Sequence, residues 1–144
     1  QELRELEISD CDILVYGYLP LMVSAQCVFD NTVGCMKNKV SENNSYDETV
    51  SGVLTDRMNK KFFARAYCKT CYNVIYNGQP LALHKQADEI FALSPKNFRL
   101  DFTIESEEQM RKILNIFINR YCYGRDIIDT IDNYTTGHFK RGIL

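Results

Sequence analysis

The sequence lacks a large charge of either sign: 17 Lys and Arg stand against 19 Asp and Glu, a formal net charge of −2. Without a basic field over the whole chain, a protein whose main task is coating nucleic acid or anionic lipid is disfavoured, and only a local basic patch stays open. Long apolar runs are missing too. Stretches such as Ile13–Val15 and Leu21–Val23 fall far short of the roughly 20 residues a spanning helix needs, so no membrane passage is expected. Hydrolytic signatures are likewise absent: there is no G-x-S-x-G, no H-E-x-x-H and no P-loop, which excludes the standard protease and nucleotide-binding motifs. At 144 residues the chain is too short for a closed (β/α)8 barrel, which takes about 250, and could build at most half of one. It opens Gln1-Glu2-Leu3 with no initiator Met and with Leu3, Leu6 and Glu7 in helical spacing. The expectation is a piece of a larger domain, with something upstream removed.

What is present describes one globular domain over 1–144: 45% hydrophobic and 12% aromatic residues. Asp12-Ile13-Leu14-Val15-Tyr16-Gly17 is the short β-branched run of a strand buried on both faces, which implies a parallel sheet. Apolar character continues through Tyr18–Val23 past Pro20, so the chain turns or runs along an edge there. From Met36 to Gly52 the composition shifts to Lys, Asn, Ser, Glu and Asp, the expected long loop. Val53–Asp56 and Phe62–Tyr67 flank Arg57–Lys61 as a hairpin, and Tyr72–Tyr76 runs into a turn at Asn77-Gly78.

The second half alternates helix, strand and helix. Leu83, Ala87, Ile90 and Phe91 form one helical stripe ending before Ser94-Pro95, and Phe98–Ile104 alternates as a strand. Ser106 and Gln109 form a capping box for a helix whose buried stripe is Met110, Ile113, Leu114, Phe117 and Tyr121, stopped by Gly124. Ile127, Ile128 and Ile131 have helical spacing. The fold class read from these elements is α/β, a mixed sheet with flanking helices and a hairpin insertion.

Six cysteines carry most of the chemistry. Cys68-Lys69-Thr70-Cys71 is a C-x2-C pair able to reach one metal from a single turn, and Cys27 and Cys35 could add two ligands. Four thiolates in two pairs suit tetrahedral zinc or an iron-sulfur cluster; a Cys68–Cys71 redox disulfide, or cysteines packed as small hydrophobes, are the alternatives. Cys11 opens a strand and Cys122 ends a helix face, so both are expected in the core. With the cysteines read this way the expected compartment is the cytoplasm. Of the two histidines, His84 is expected on the surface, whereas His138, after Gly137 and close to Lys140 and Arg141, could address an anion or a thiol or be an ordinary turn residue. Arg99 and Asp101 share one strand face, a costly arrangement unless that face is wet or functional, and Glu105 sits past the strand's carboxyl end, where α/β sheets place their sites.

Val15-Tyr16-Gly17-Tyr18-Leu19-Pro20-Leu21-Met22-Val23 followed by Cys27 resembles the signature region of the collagenase-like peptidase family U32. So, in the same order, do Leu54-Thr55-Asp56-Arg57, Cys68 and Cys71 ahead of Ile75-Tyr76-Asn77, Arg99–Thr103 with Glu105, and Tyr134–Gly142. The resemblance implies the later part of a barrel-like, TIM-barrel-related α/β domain, partnered by a missing amino-terminal half of the same domain. It implies a protease acting on protein or peptide, with Arg99, Asp101, Glu105 and His138 shaping the site. Other members carry a four-cysteine iron-sulfur cluster and help hydroxylate RNA or a quinone precursor. That implies a [4Fe–4S] cluster on Cys27, Cys35, Cys68 and Cys71, zinc being the alternative, and RNA or a small aromatic as substrate. The polar insertion after Cys35 departs from the family pattern. A cysteine-stapled structural or interaction module is the third expectation.

Overall fold

A computed structural model describes residues 10–35, 49–126 and 131–139. They form a mixed α/β fold with two sheets, and no closed barrel appears among the described residues. Two compact units divide the chain, one drawn from 1–18 and 79–144, the other from 19–78. Residues 127 and 128, expected as helical, lie outside the described residues; Ile131 is not in a helix.

In the first unit the apolar run Asp12–Gly17 is β1 and takes the centre of a three-stranded sheet. It lies parallel to β7 (Asn97–Asp101) and antiparallel to the two-residue β6 (Leu81–Ala82). Val15 and Tyr16 are buried on it, as their β-branched and aromatic character favours. Gly17 is paired with Asp101, and a Cβ at Gly17 would come 2.8 Å from the Asp101 carbonyl oxygen. Only glycine allows β1 and β7 to approach so closely at that rung.

β7 ends at Asp101, three residues short of the alternation in the sequence. The reason is Glu105, whose Oε2 accepts the N–H groups of Thr103 (2.7 Å) and Ile104 (3.0 Å). With those donors taken by a side chain, the backbone bends instead of continuing a ladder. The following helix (Glu107–Phe117) has the expected capping box, Ser106 Oγ accepting from the Gln109 N–H and Gln109 Oε1 from the Ser106 N–H. It buries Ile113, Ile116 and Phe117, while Leu114, expected on the stripe, is 44% exposed. Each full burial of such a side chain is worth about 1.5–3 kcal/mol. A π-helical turn (Ile118–Cys122) extends the helix and keeps Tyr121 inward, its hydroxyl donating to the Leu83 carbonyl at 2.9 Å. Cys122 at the end of that widened turn is exposed, and so is Cys11 just ahead of β1, so neither is the core residue expected from its apolar neighbours.

The stripe Leu83–Phe91 folds as a 3-10 turn (His84–Gln86) leading into a short α-helix (Ala87–Phe91). The tighter turn carries His84 inward rather than to the surface. Its ring is fully buried, edge-on to Tyr134 (4.8 Å between centroids) and Phe117 (6.2 Å), and neither ring nitrogen has a hydrogen-bond partner among the described residues. Ile90 and Ala87 are buried beside it in sequence, but Phe91 is 40% exposed.

In the second unit the strand order is β2-β5-β4-β3, all antiparallel: β2 (Pro20–Ser24), β3 (Thr49–Thr55), β4 (Lys61–Tyr67) and β5 (Tyr72–Tyr76). Pro20 opens an edge strand, where its missing N–H is tolerated. The hairpin β3–β4 forms as its flanking apolar runs suggest, closed by Asp56, whose Oδ1 accepts from the Met58 and Lys60 N–H groups at 2.8 and 2.9 Å. Thr49–Gly52, read as the end of a loop, belongs to β3: Thr49↔Tyr67, Val50↔Ala66, Ser51↔Arg65 and Gly52↔Ala64 pair directly. Cross-strand partners, invisible in the local polar composition, override it. The short α1 (Asp30–Val33) lies in the segment between β2 and β3.

Burial, and secondarily the Lys85 charge, push the His84 pKa down to about 4. The unfolded chain, near the ordinary 6.5, therefore binds a proton between these values that the folded chain refuses. Stability from neutral His84 is complete above about pH 6.5 and lost as pH falls toward about 4, amounting to about 3 kcal/mol. In urea unfolding from pH 7 to pH 4, wild type should lose that much more stability than His84→Phe; parallel curves would refute the assignment.

Candidate functional site

Two clusters of chemistry-bearing side chains stand out, one in each unit. In the second unit, Cys27, Cys35, Cys68 and Cys71 line one cavity of about 420 Å³, together with Phe29, Val50, Ala66, Tyr67 and Tyr72. Sequence places Cys68 and Cys71 there through a four-residue turn joining β4 to β5. Tyr67 and Tyr72 pair across it and stack at 4.6 Å between ring centroids with planes 11° apart. Cys71 has φ of 54°, and its Sγ lies 3.6 Å from the Cys68 carbonyl oxygen as a weak donor.

Cys27 and Cys35 arrive from the segment that follows β2. That segment is seated on the sheet at two points. The Phe29 ring occupies the space a side chain at residue 52 would need, 2.7 Å from an ideal Cβ on Gly52. Asn73, fully buried, donates through Nδ2 to the carbonyls of Gln26 (2.7 Å) and Ser24 (3.3 Å). Cys68 is buried and Cys27 half-buried, while Cys35 and Cys71 reach solvent; none of the six cysteines is in a disulfide.

In donor chemistry the four thiols suit zinc or an iron-sulfur cluster. As the side chains stand, no three Cys, His, Asp or Glu groups among the described residues converge closely enough to hold a metal ion.

The first unit carries the other cluster, at the carboxyl ends of the parallel strands β1 and β7. Arg99 and Asp101 form a bidentate ion pair, Nε–Oδ1 and Nη2–Oδ2 both 3.0 Å. Glu105 follows, one oxygen holding the Thr103 and Ile104 N–H groups, its carboxylate lying beside the Tyr16 phenol. Burial, then a hydrogen bond to Glu105 and the charge of its carboxylate, raise the phenol of Tyr16 well above the ordinary tyrosine range; Tyr18 is raised by burial and by the Glu105 charge. The result is a polar, carboxylate-bearing carboxyl end to the two strands.

His138 is not part of that cluster. It lies in an exposed turn after Thr135, which extends the sheet beyond β6 by a single bridge to Leu81. Three strand spacings, about 14 Å, separate Thr135 from β7 along the sheet. Among the residues reaching one of the clusters, Tyr16, Asn73 and Gly52 gave no signal in the sequence, because their roles depend on strand register. Tyr67 and Tyr72 did carry one, flanking the C-x2-C symmetrically.

The Arg99–Asp101 pair is half-exposed, with side chains 58% and 43% accessible, and such pairs contribute about 0–1 kcal/mol. Arg99→Ala should therefore change unfolding free energy by no more than about 1 kcal/mol in urea titration; a larger loss would make the pair a brace of the sheet. No family model, no curated protein and no solved structure matches this chain.

Proposed function

We propose that the chain carries the later, cysteine-bearing part of a barrel-like domain of the U32 collagenase-like peptidase kind, and that its second unit holds a metal centre on Cys27, Cys35, Cys68 and Cys71. The observation that carries this reading is that all four cysteines are among the residues lining one cavity, in two pairs delivered by different parts of the chain. Of the activities that the resemblance implies, cluster-dependent hydroxylation of RNA or a small aromatic fits this set best. A [4Fe–4S] cluster, when bound, supplies one-electron chemistry. The chain's own contribution is to ligate, to seat Cys27 and Cys35 on the sheet, and to shelter the site with the Tyr67–Tyr72 stack.

Hydrolysis of peptide bonds is the second reading, favoured by Arg99, Asp101 and Glu105 at the carboxyl ends of parallel strands, where α/β folds keep their sites. In that case Arg99 would hold a developing anion and the carboxylates would move protons.

One experiment separates them. The chain is purified without oxygen, its ultraviolet-visible spectrum recorded, and iron, sulfide and zinc counted per chain, in wild type and in Cys68→Ser. Iron with sulfide and a broad absorption near about 400 nm, lost together with melting temperature in Cys68→Ser, supports the cluster reading, because closed thiolate sites contribute folding free energy. Zinc alone turns the reading toward a structural centre beside a hydrolase. No metal, with unchanged melting in the variant, removes the centre.

A further inference from the structure

Strand alternation gives the sheet of the second unit two faces of different chemistry. Gly52, paired with Ala64, and Asn73, paired with Ala66, belong to one of them, and the segment after β2 lies there. Along β4 the opposite face carries Lys61, Phe63, Arg65 and Tyr67 in turn, cation alternating with aromatic ring. β5 sets Tyr76 beside Phe63 and Tyr72 beside Tyr67, while β3 sets Val53 beside Phe63 and Ser51 beside Arg65. Side-chain contacts follow that register: Arg65 Nε donates to Ser51 Oγ at 3.4 Å, Tyr67 and Tyr72 stack, and the Tyr76 phenol hydrogen-bonds with Tyr67. Ser51, Val53 and Lys61 are exposed; Phe63, Arg65, Tyr67 and Tyr72 are half-buried.

Charge gathers here against the balance of the chain. The whole carries −2, yet residues 49–78 hold five basic side chains, Arg57, Lys60, Lys61, Arg65 and Lys69, against Asp56 alone. One oxygen of that carboxylate is already taken by the Met58 and Lys60 amides. Arg57 and Lys60 fall in the turn before β4 and Lys69 in the turn after it, so positive charge brackets the rings along one strand. Phosphates follow such a line of cations, and unpaired bases stack on the rings between them whatever their sequence. A duplex keeps its bases stacked on one another, and an acidic peptide would use the cations and leave the rings idle. We propose that this face of β3, β4 and β5 binds single-stranded nucleic acid, with Lys61 and Arg65 on phosphates and with Phe63 and the Tyr67–Tyr72 stack receiving bases. The surface lies within the second unit and does not depend on the metal reading above.

The test is fluorescence anisotropy with a labelled oligouridylate of about 12 nucleotides, within the length such surfaces cover, in EDTA so that no metal takes part. Wild type should bind it in low salt, lose affinity as salt rises, and bind duplex RNA at least about tenfold more weakly. Oligothymidylate is the second probe: equal binding shows bases and phosphates as the contacts, a preference for oligouridylate adds the 2′-hydroxyl, and both support the surface. Phe63→Leu should weaken binding about tenfold at every salt concentration, whereas Lys61→Gln should lower the slope of log K against log salt by about 0.7. Phe62→Leu, on the other face, should change affinity by less than about twofold. Each variant is first checked for fold by circular dichroism; if Phe63→Leu does not fold, Lys61→Gln carries the test. No binding in low salt, duplex bound as tightly as the single strand, unchanged affinity in folded Phe63→Leu, or an unchanged salt slope in Lys61→Gln overturns the proposal.

Discussion

Where a strand ends and its chain crosses onto the face of the sheet, the carbonyls that have just left the ladder must find new donors. In the second unit that requirement falls on Ser24 and Gln26, and the single buried amide of Asn73 meets it. Much else follows. The segment carrying Cys27 and Cys35 is laid down on the sheet at that point and held further along by Phe29 against Gly52. The cavity is lined from both sources, by Cys27, Phe29 and Cys35 of the segment and by Cys68 and Cys71 of the turn between the central strands.

The parts of this fold that were legible in the sequence are those fixed by neighbours along the chain. Ser106 and Gln109 announce their helix because a capping box is closed within four residues. The β3–β4 hairpin follows from two apolar runs and an Asp able to satisfy its own turn. Cys68 and Cys71 lie in the one turn that joins β4 to β5, as their spacing suggests. What could not be read depends on partners far away or on a competitor to the local pattern. The alternation Phe98–Ile104 continues past the real end of β7 because Glu105 captures the amides that the ladder would use. His84 looks like a surface residue until the 3-10 turn rotates it among Tyr134 and Phe117. Cys11 and Cys122 sit in apolar sequence and end up exposed, since being next to buried residues is not burial. Asn73 is one polar residue in an apolar strand, and only the register Ser24↔Asn73↔Ala66 gives it meaning.

The two units use polarity in opposite ways. At the end of β1 and β7, charge is left partly in water as the Arg99–Asp101 pair, while the one carboxylate drawn inward, Glu105, spends an oxygen on backbone amides. Tyr16 beside it is held protonated by burial and by that carboxylate. In the second unit the group that holds the cysteine-bearing segment, the Asn73 amide, is uncharged. The cavity that the four cysteines line mixes aromatic and small apolar side chains with Gln26, Asp30 and Asn31.

The turn Cys68–Cys71 makes two quantities inseparable. It sets the pairing of Tyr67 with Tyr72, hence the register of the central strands, and it sets the separation of two thiols. A residue inserted there would shift every cross-strand neighbour of β5 to the wrong face and pull the sulfurs apart in the same step. An added residue therefore costs more at this connection than in the Asp56 turn at the other end of β4, which carries none of the cysteines that line the cavity.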